Sequence, residues 1–132
     1  TEESLVATAD FLAGVAPRTA FLGVPIRPPA VAGSRVPDES RLVSAHEIYA
    51  ARLPDVELLT GHEVGAFAHT GDAREDLLAI TAVHPMREVA VGDLLARNGA
   101  GWELVAGLVA DGTLRVVEHA GVRFYLRPVH RE

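Results

Sequence analysis

The sequence predicts two successive parts. Residues 1–71 read as an α/β segment at one end of a larger sheet or barrel, and residues 72–132 as a winged-helix-like α+β module. Three observations carry this. The first part alternates helix, strand, helix, strand, with strands apolar on both faces. Two such strands cannot shield both faces of a sheet by themselves, so they need neighbours from more polypeptide or from a second copy. The second part has three short helical patterns followed by two alternating strands, the outline of a winged helix.

The first helix begins at Thr1, a capping residue followed by the acids Glu2 and Glu3, which favour a helix N-terminus. Leu5, Ala9, Leu12 and Ala16 then recur at helical spacing until Pro17. Residues 20–24 (Ala-Phe-Leu-Gly-Val) are too short for a helix and read as a buried strand ended by Pro25. A segment of prolines follows: Pro25, Pro28, Pro29 and Pro37. It is longer than most connections, and ordered loops of that length tend to carry function. Asp38 caps the next helix, with Leu42, Ala45, Tyr49 and Leu53 on one stripe, and residues 56–60 read as the second strand.

A strand, a crossover helix and another strand normally form a right-handed parallel unit. The segments after the two strands, residues 25–37 and 61–73, then leave from one edge, where α/β proteins bind ligands. That reasoning selects Arg27 and Arg35 from the first segment and His62, Glu63 and His69 from the second as substrate- or cofactor-binding candidates. Arg27, held between prolines, is a pre-organised partner for a carboxylate or phosphate. His62, Glu63 and His69 also form a possible two-histidine, one-carboxylate metal set, although solvated surface residues of this kind are common. His46 reads as a hydrogen-bonded packing histidine, and His84, just before Pro85, as a residue making a backbone contact at a helix junction.

In the second part, Asp72-x-x-Glu75 resembles a capping box. Pro85 is expected to open a second helix that buries Met86, Ala90, Val91, Leu94 and Leu95 and stops at Asn98-Gly99. A third helix from Trp102 to Ala110 should bury Trp102, Val105, Leu108 and Val109. Residues 114–117 and 122–126 then form a hairpin around the three-residue loop His119-Ala120-Gly121.

Composition narrows the function. The 132 residues carry 18 acids and 12 bases, a net charge of −6, and no cysteine. No disulfide, thiolate zinc site, cysteine nucleophile or iron–sulfur ligand can come from these residues. All the bases are arginine, which excludes a Schiff-base or P-loop lysine. The acidic balance and the small, acidic outer face expected for the third helix make nucleic acid an unfavoured partner. No dinucleotide, P-loop or nucleophile-elbow motif occurs. No apolar run approaches the roughly 20 residues of a membrane helix, so a cytoplasmic setting is expected. The opening at Thr1, without a leader pattern, is read as a chain that is part of something longer.

Several strings carry a family likeness: Val24-Pro25-Ile26-Arg27-Pro28-Pro29, Thr70-Gly71-Asp72 with Glu75-Asp76-Leu77-Leu78, Val83-His84-Pro85-Met86-Arg87-Glu88, and Phe124-Tyr125-Leu126-Arg127. Over residues 20 to 127 the chain resembles the C-terminal part of radical S-adenosylmethionine (radical SAM) iron–sulfur proteins. The resemblance implies a partial (β/α) barrel end followed by a small helical appendage. It also implies a parent protein whose earlier strands carry a Cys-x-x-x-Cys-x-x-Cys loop, a 4Fe-4S cluster and S-adenosylmethionine, with Arg27 at the substrate or cofactor edge. The chain departs from the family's pattern in having no cysteine, so it is not catalytic alone and holds no cofactor itself. Its expected partners are the remainder of the parent barrel or another copy of the chain. The competing expectation is a free-standing winged-helix interaction or regulatory protein without enzymatic activity. A third is a small metal-dependent enzyme built on His62, Glu63 and His69.

Overall fold

The computed structural model describes residues 1–24, 35, 37–60 and 71–129. Helix α1 (Glu2–Val15) starts at Thr1, whose hydroxyl accepts from the Ser4 amide at 3.2 Å, and ends at Ala16 in the left-handed region (φ 54°). Strand β1 (Ala20–Gly23) follows, then helix α2 (Glu39–Ala50), whose cap Asp38 accepts from the Arg41 amide at 2.9 Å. Strand β2 (Val56–Leu59) runs parallel to β1, pairing Ala20 with Val56 and Gly23 with Leu59.

Period-two alternation divides this small sheet into two unlike faces. Ala20 and Val56 are buried under α1 and α2 with Ala9, Tyr49 and Leu53, and Leu5, Leu12, Leu22 and Ile48 pack around them. On the opposite face Phe21 is 57% exposed and Leu59 is 49% exposed. The two edges differ as well. The amides of Ala20 and Val24 donate to the carbonyls of Asp55 and Leu59, so by alternation those of Phe21 and Gly23 point away from β2. Among the described residues no strand pairs with that outer edge of β1. The far edge of β2 is occupied: the His46 ring bonds the Val56 carbonyl, and Thr60 donates its hydroxyl to the Ala82 carbonyl at 3.3 Å.

The second part runs α3 (Ala73–Val83), β3 (Met86–Arg87), α4 (Glu88–Arg97), α5 (Trp102–Ala110), β4 (Arg115–His119) and β5 (Val122–Leu126). Its antiparallel sheet has the order β3-β5-β4. Leu77, Met86, Val91, Leu94, Leu95, Val105, Leu108, Leu114 and Tyr125 form its core. The cap at Asp72 forms as expected, accepting from the Glu75 amide at 3.1 Å.

Three local expectations are corrected. Residues 85–87 do not open a helix: Met86 and Arg87 pair with Tyr125 and Phe124, and α4 starts only at Glu88. The proline disfavours helical backbone at His84, which is extended (φ −135°, ψ 129°). The hairpin turn has two residues, not three, because His119 pairs with Val122, and Ala120 (φ 50°) and Gly121 (φ 76°) both adopt positive φ. That is the conformation of a type I′ turn, whose twist suits a tight hairpin. Trp102 and Ala90 are exposed rather than buried.

Helix α2 joins the two parts. Its Leu42 and Val43 pack with Phe124, Leu126 and Val129, flanked by Val24 and Val117. Around that cluster Arg87 Nη2 meets Glu47 Oε2 at 2.8 Å, and the Val129 amide donates to Glu39 Oε1 at 3.3 Å.

Candidate functional site

Of the residues selected from the sequence, Arg27, His62, Glu63 and His69 lie outside the described residues, and Arg35 is exposed. Because β1 and β2 are parallel, Val24 and Thr60, each directly after its strand, lie at the same end of the sheet.

A different cluster lies on β2. Asp55 and Glu57, two residues apart, share the face opposite the helices. His84, held extended at the end of α3, joins them: one ligand atom from each of Asp55, Glu57 and His84 lies within 4.8 Å of the other two, and all three side chains are half-buried. Thr19 donates its hydroxyl to Asp55 Oδ2 at 2.9 Å, which orients that carboxylate. Asp55, just ahead of β2, puts the cluster nearer the strand's amino-terminal end than the edge selected from the sequence.

His46 lies beside the cluster from α2. Its Nε2 is 3.1 Å from the Val56 carbonyl oxygen, and its ring meets His84 edge-on, with centroids 5.8 Å apart at 78°. A carbonyl only accepts, so Nε2 carries the proton and Nδ1 is a bare lone pair. Nδ1 is buried and has no hydrogen-bond partner among the described residues. Burial holds the His46 pKa below 6.5, reinforced by His84 and opposed by the Val56 hydrogen bond and by Glu47. His46 is thus the hydrogen-bonded packing histidine anticipated. The His84 amide donates to the Ile80 carbonyl at 2.8 Å, the backbone contact at the helix end, and its ring is grouped with two carboxylates. The alternation Asp55-x-Glu57 was a usable signal for half of this cluster, but nothing in the sequence links His84 to it.

The chain is 32% identical over 131 residues to the UPF0026 protein MJ1312 of Methanocaldococcus jannaschii. It is similar to a longer protein. The match takes in 98% of this chain and 41% of the relative, so the chain spans about two fifths of the UPF0026 protein's length. No family model matches the chain, and no solved structure matches it significantly. Among the described residues no helix is long and apolar enough to cross a membrane.

Proposed function

We propose that the chain is the C-terminal portion of a radical SAM iron–sulfur enzyme, supplying substrate-edge loops and a winged-helix-like module for packing or partner recognition. The observation that carries this reading is the asymmetry of the parallel sheet. One face is buried under α1 and α2, the other exposes Phe21 and Leu59, and among the described residues no strand pairs with the outer edge of β1. Apolar side chains and unpaired strand groups of this kind are normally covered. A strand ahead of α1, joined through it to β1, would cover them as the next unit of a partial barrel. The length of the UPF0026 relative, of which this chain matches 41%, is in keeping with such additional units.

An iron–sulfur cluster does not fit this chain itself. It contains no thiolate to ligate iron, so the cluster and the reductive cleavage of S-adenosylmethionine belong to the rest of the longer protein. Arg27, Arg35, His62, Glu63 and His69 are proposed to contact substrate or cofactor from the edge where Val24 and Thr60 end the strands. A cytoplasmic setting is part of the same proposal.

For residues 72–132, the element order helix, strand, helix, helix, strand, strand, with β3 beside β5, supports the winged-helix-like reading. Its surface suits protein packing better than DNA. Helix α5 exposes Glu103, Ala106, Gly107 and Ala110, whereas a major-groove helix presents basic or amide side chains. On the hairpin Arg123 sits opposite Glu118, which offsets its charge.

The test is anaerobic iron–sulfur reconstitution of the full-length protein containing this chain, with S-adenosylmethionine and a strong reductant. Methionine and 5′-deoxyadenosine should form with the full-length protein and not with the 132-residue chain. A full-length protein that takes up no iron contradicts the proposal.

A further inference from the structure

Two carboxylates grouped on one strand face repel each other unless a cation lies between them. Among the described residues no arginine pairs with Asp55 or Glu57. The third member is an imidazole, which brings a nitrogen donor to the two oxygens. We infer that Asp55, Glu57 and His84 bind a divalent transition-metal ion of the zinc or manganese class, a site separate from the sheet edge that carries the proposed substrate loops.

The geometry and the surroundings both fit such a site. Around a tetrahedral ion with bonds of about 2.0–2.1 Å, ligand atoms stand roughly 3.3 Å apart. The three donors already lie within 4.8 Å of one another, so small side-chain rotations close the set. Two oxygens and one nitrogen suit zinc or manganese, and three protein ligands leave a coordination position for water or another ligand. Thr19, hydrogen-bonded to Asp55 Oδ2 at 2.9 Å, holds one carboxylate as outer-shell groups do in metal centres. The His46 ring, anchored to the Val56 carbonyl, buttresses His84 from the side. The ligands also come from separate places in the fold: Glu57 from β2, Asp55 from the residue just ahead of it, and His84 from the end of α3. Binding therefore ties α3 to the far edge of β2, where Thr60 already bonds Ala82.

The test is titration of the full 132-residue chain with Zn2+ by calorimetry, and with Co2+ followed by its visible d–d absorption. Without cysteine the chain offers no competing thiolates. A single saturable equivalent is expected, with cobalt bands that report a nitrogen and oxygen donor set. Glu57→Gln, nearly isosteric, and His84→Gln should each weaken binding about tenfold or more while circular dichroism stays unchanged. Absence of saturable binding to the wild-type chain overturns the inference. So does binding that survives unaltered in folded Glu57→Gln and His84→Gln, which would assign the ion to scattered surface groups. Neither result bears on the radical SAM proposal, which is read from iron uptake and S-adenosylmethionine cleavage in the longer protein.

Discussion

Val43 of α2 and Phe124 of β5 are buried in one hydrophobic cluster, 0% and 2% exposed, although they belong to the two halves of the chain. A cluster shared in this way couples the stability of the parallel sheet to that of the antiparallel one. Phe124→Ala removes a buried aromatic ring and should cost about 3–5 kcal/mol. Urea unfolding followed by Trp102 fluorescence and by far-ultraviolet circular dichroism should show one coincident transition in wild type, shifted to lower urea in the variant. Two separate transitions, only one of them moved, would show that α2 does not join the halves.

The hairpin stores a small strain that can be relieved. Ala120 has φ 50°, a left-handed conformation that costs a residue with a Cβ roughly 1–2 kcal/mol, whereas asparagine tolerates it and Asn-Gly is the favoured type I′ pair. Ala120→Asn should raise the thermal midpoint, with a gain of about 1 kcal/mol at most. Ala120→Val should lower it.

Acid should weaken the fold through His46. Its pKa in the folded chain lies below 6.5, chiefly because burial disfavours the imidazolium. Below pH 6.5 the unfolded chain therefore binds a proton that the folded chain resists, and the stability present above that pH is lost as pH falls toward the folded value. Urea midpoints in chelator-containing buffer should drop between pH 7 and 5. His46→Gln keeps an N–H for the Val56 carbonyl but does not titrate, and should flatten that slope. An equal slope in the variant assigns the effect elsewhere.

Random-sequence duplex DNA should not bind measurably at low salt, because the outer face of α5 is small and acidic and the chain carries a net charge of −6. Salt-sensitive micromolar binding in a fluorescence-anisotropy titration would reverse that assignment and favour a regulatory, DNA-directed module.

What could be read from residue order was local and periodic. Thr1, Asp38 and Asp72 cap helices as expected, because a side-chain oxygen satisfies an exposed amide wherever the helix sits. The parallel pairing of β1 and β2 followed from a crossover helix between two apolar runs. What was missed depended on long-range partners. Met86 is a strand residue only because Tyr125 lies beside it, and His84 joins Asp55 and Glu57 only because α3 packs along β2. Sequence spacing encodes neither. Of the ligand-edge candidates, the described structure includes only Arg35, on the surface.

Whether the sheet continues into a larger barrel is decided at the outer edge of β1, which no described strand covers. Amide hydrogen exchange at Phe21 and Gly23 can be compared between the 132-residue chain and the full-length protein. If a preceding strand of a larger barrel pairs there, both amides exchange rapidly in the chain alone and are strongly protected in the longer protein. Equally rapid exchange in the two would mean that nothing covers this edge, and the proposal that the sheet is one end of a barrel would be contradicted.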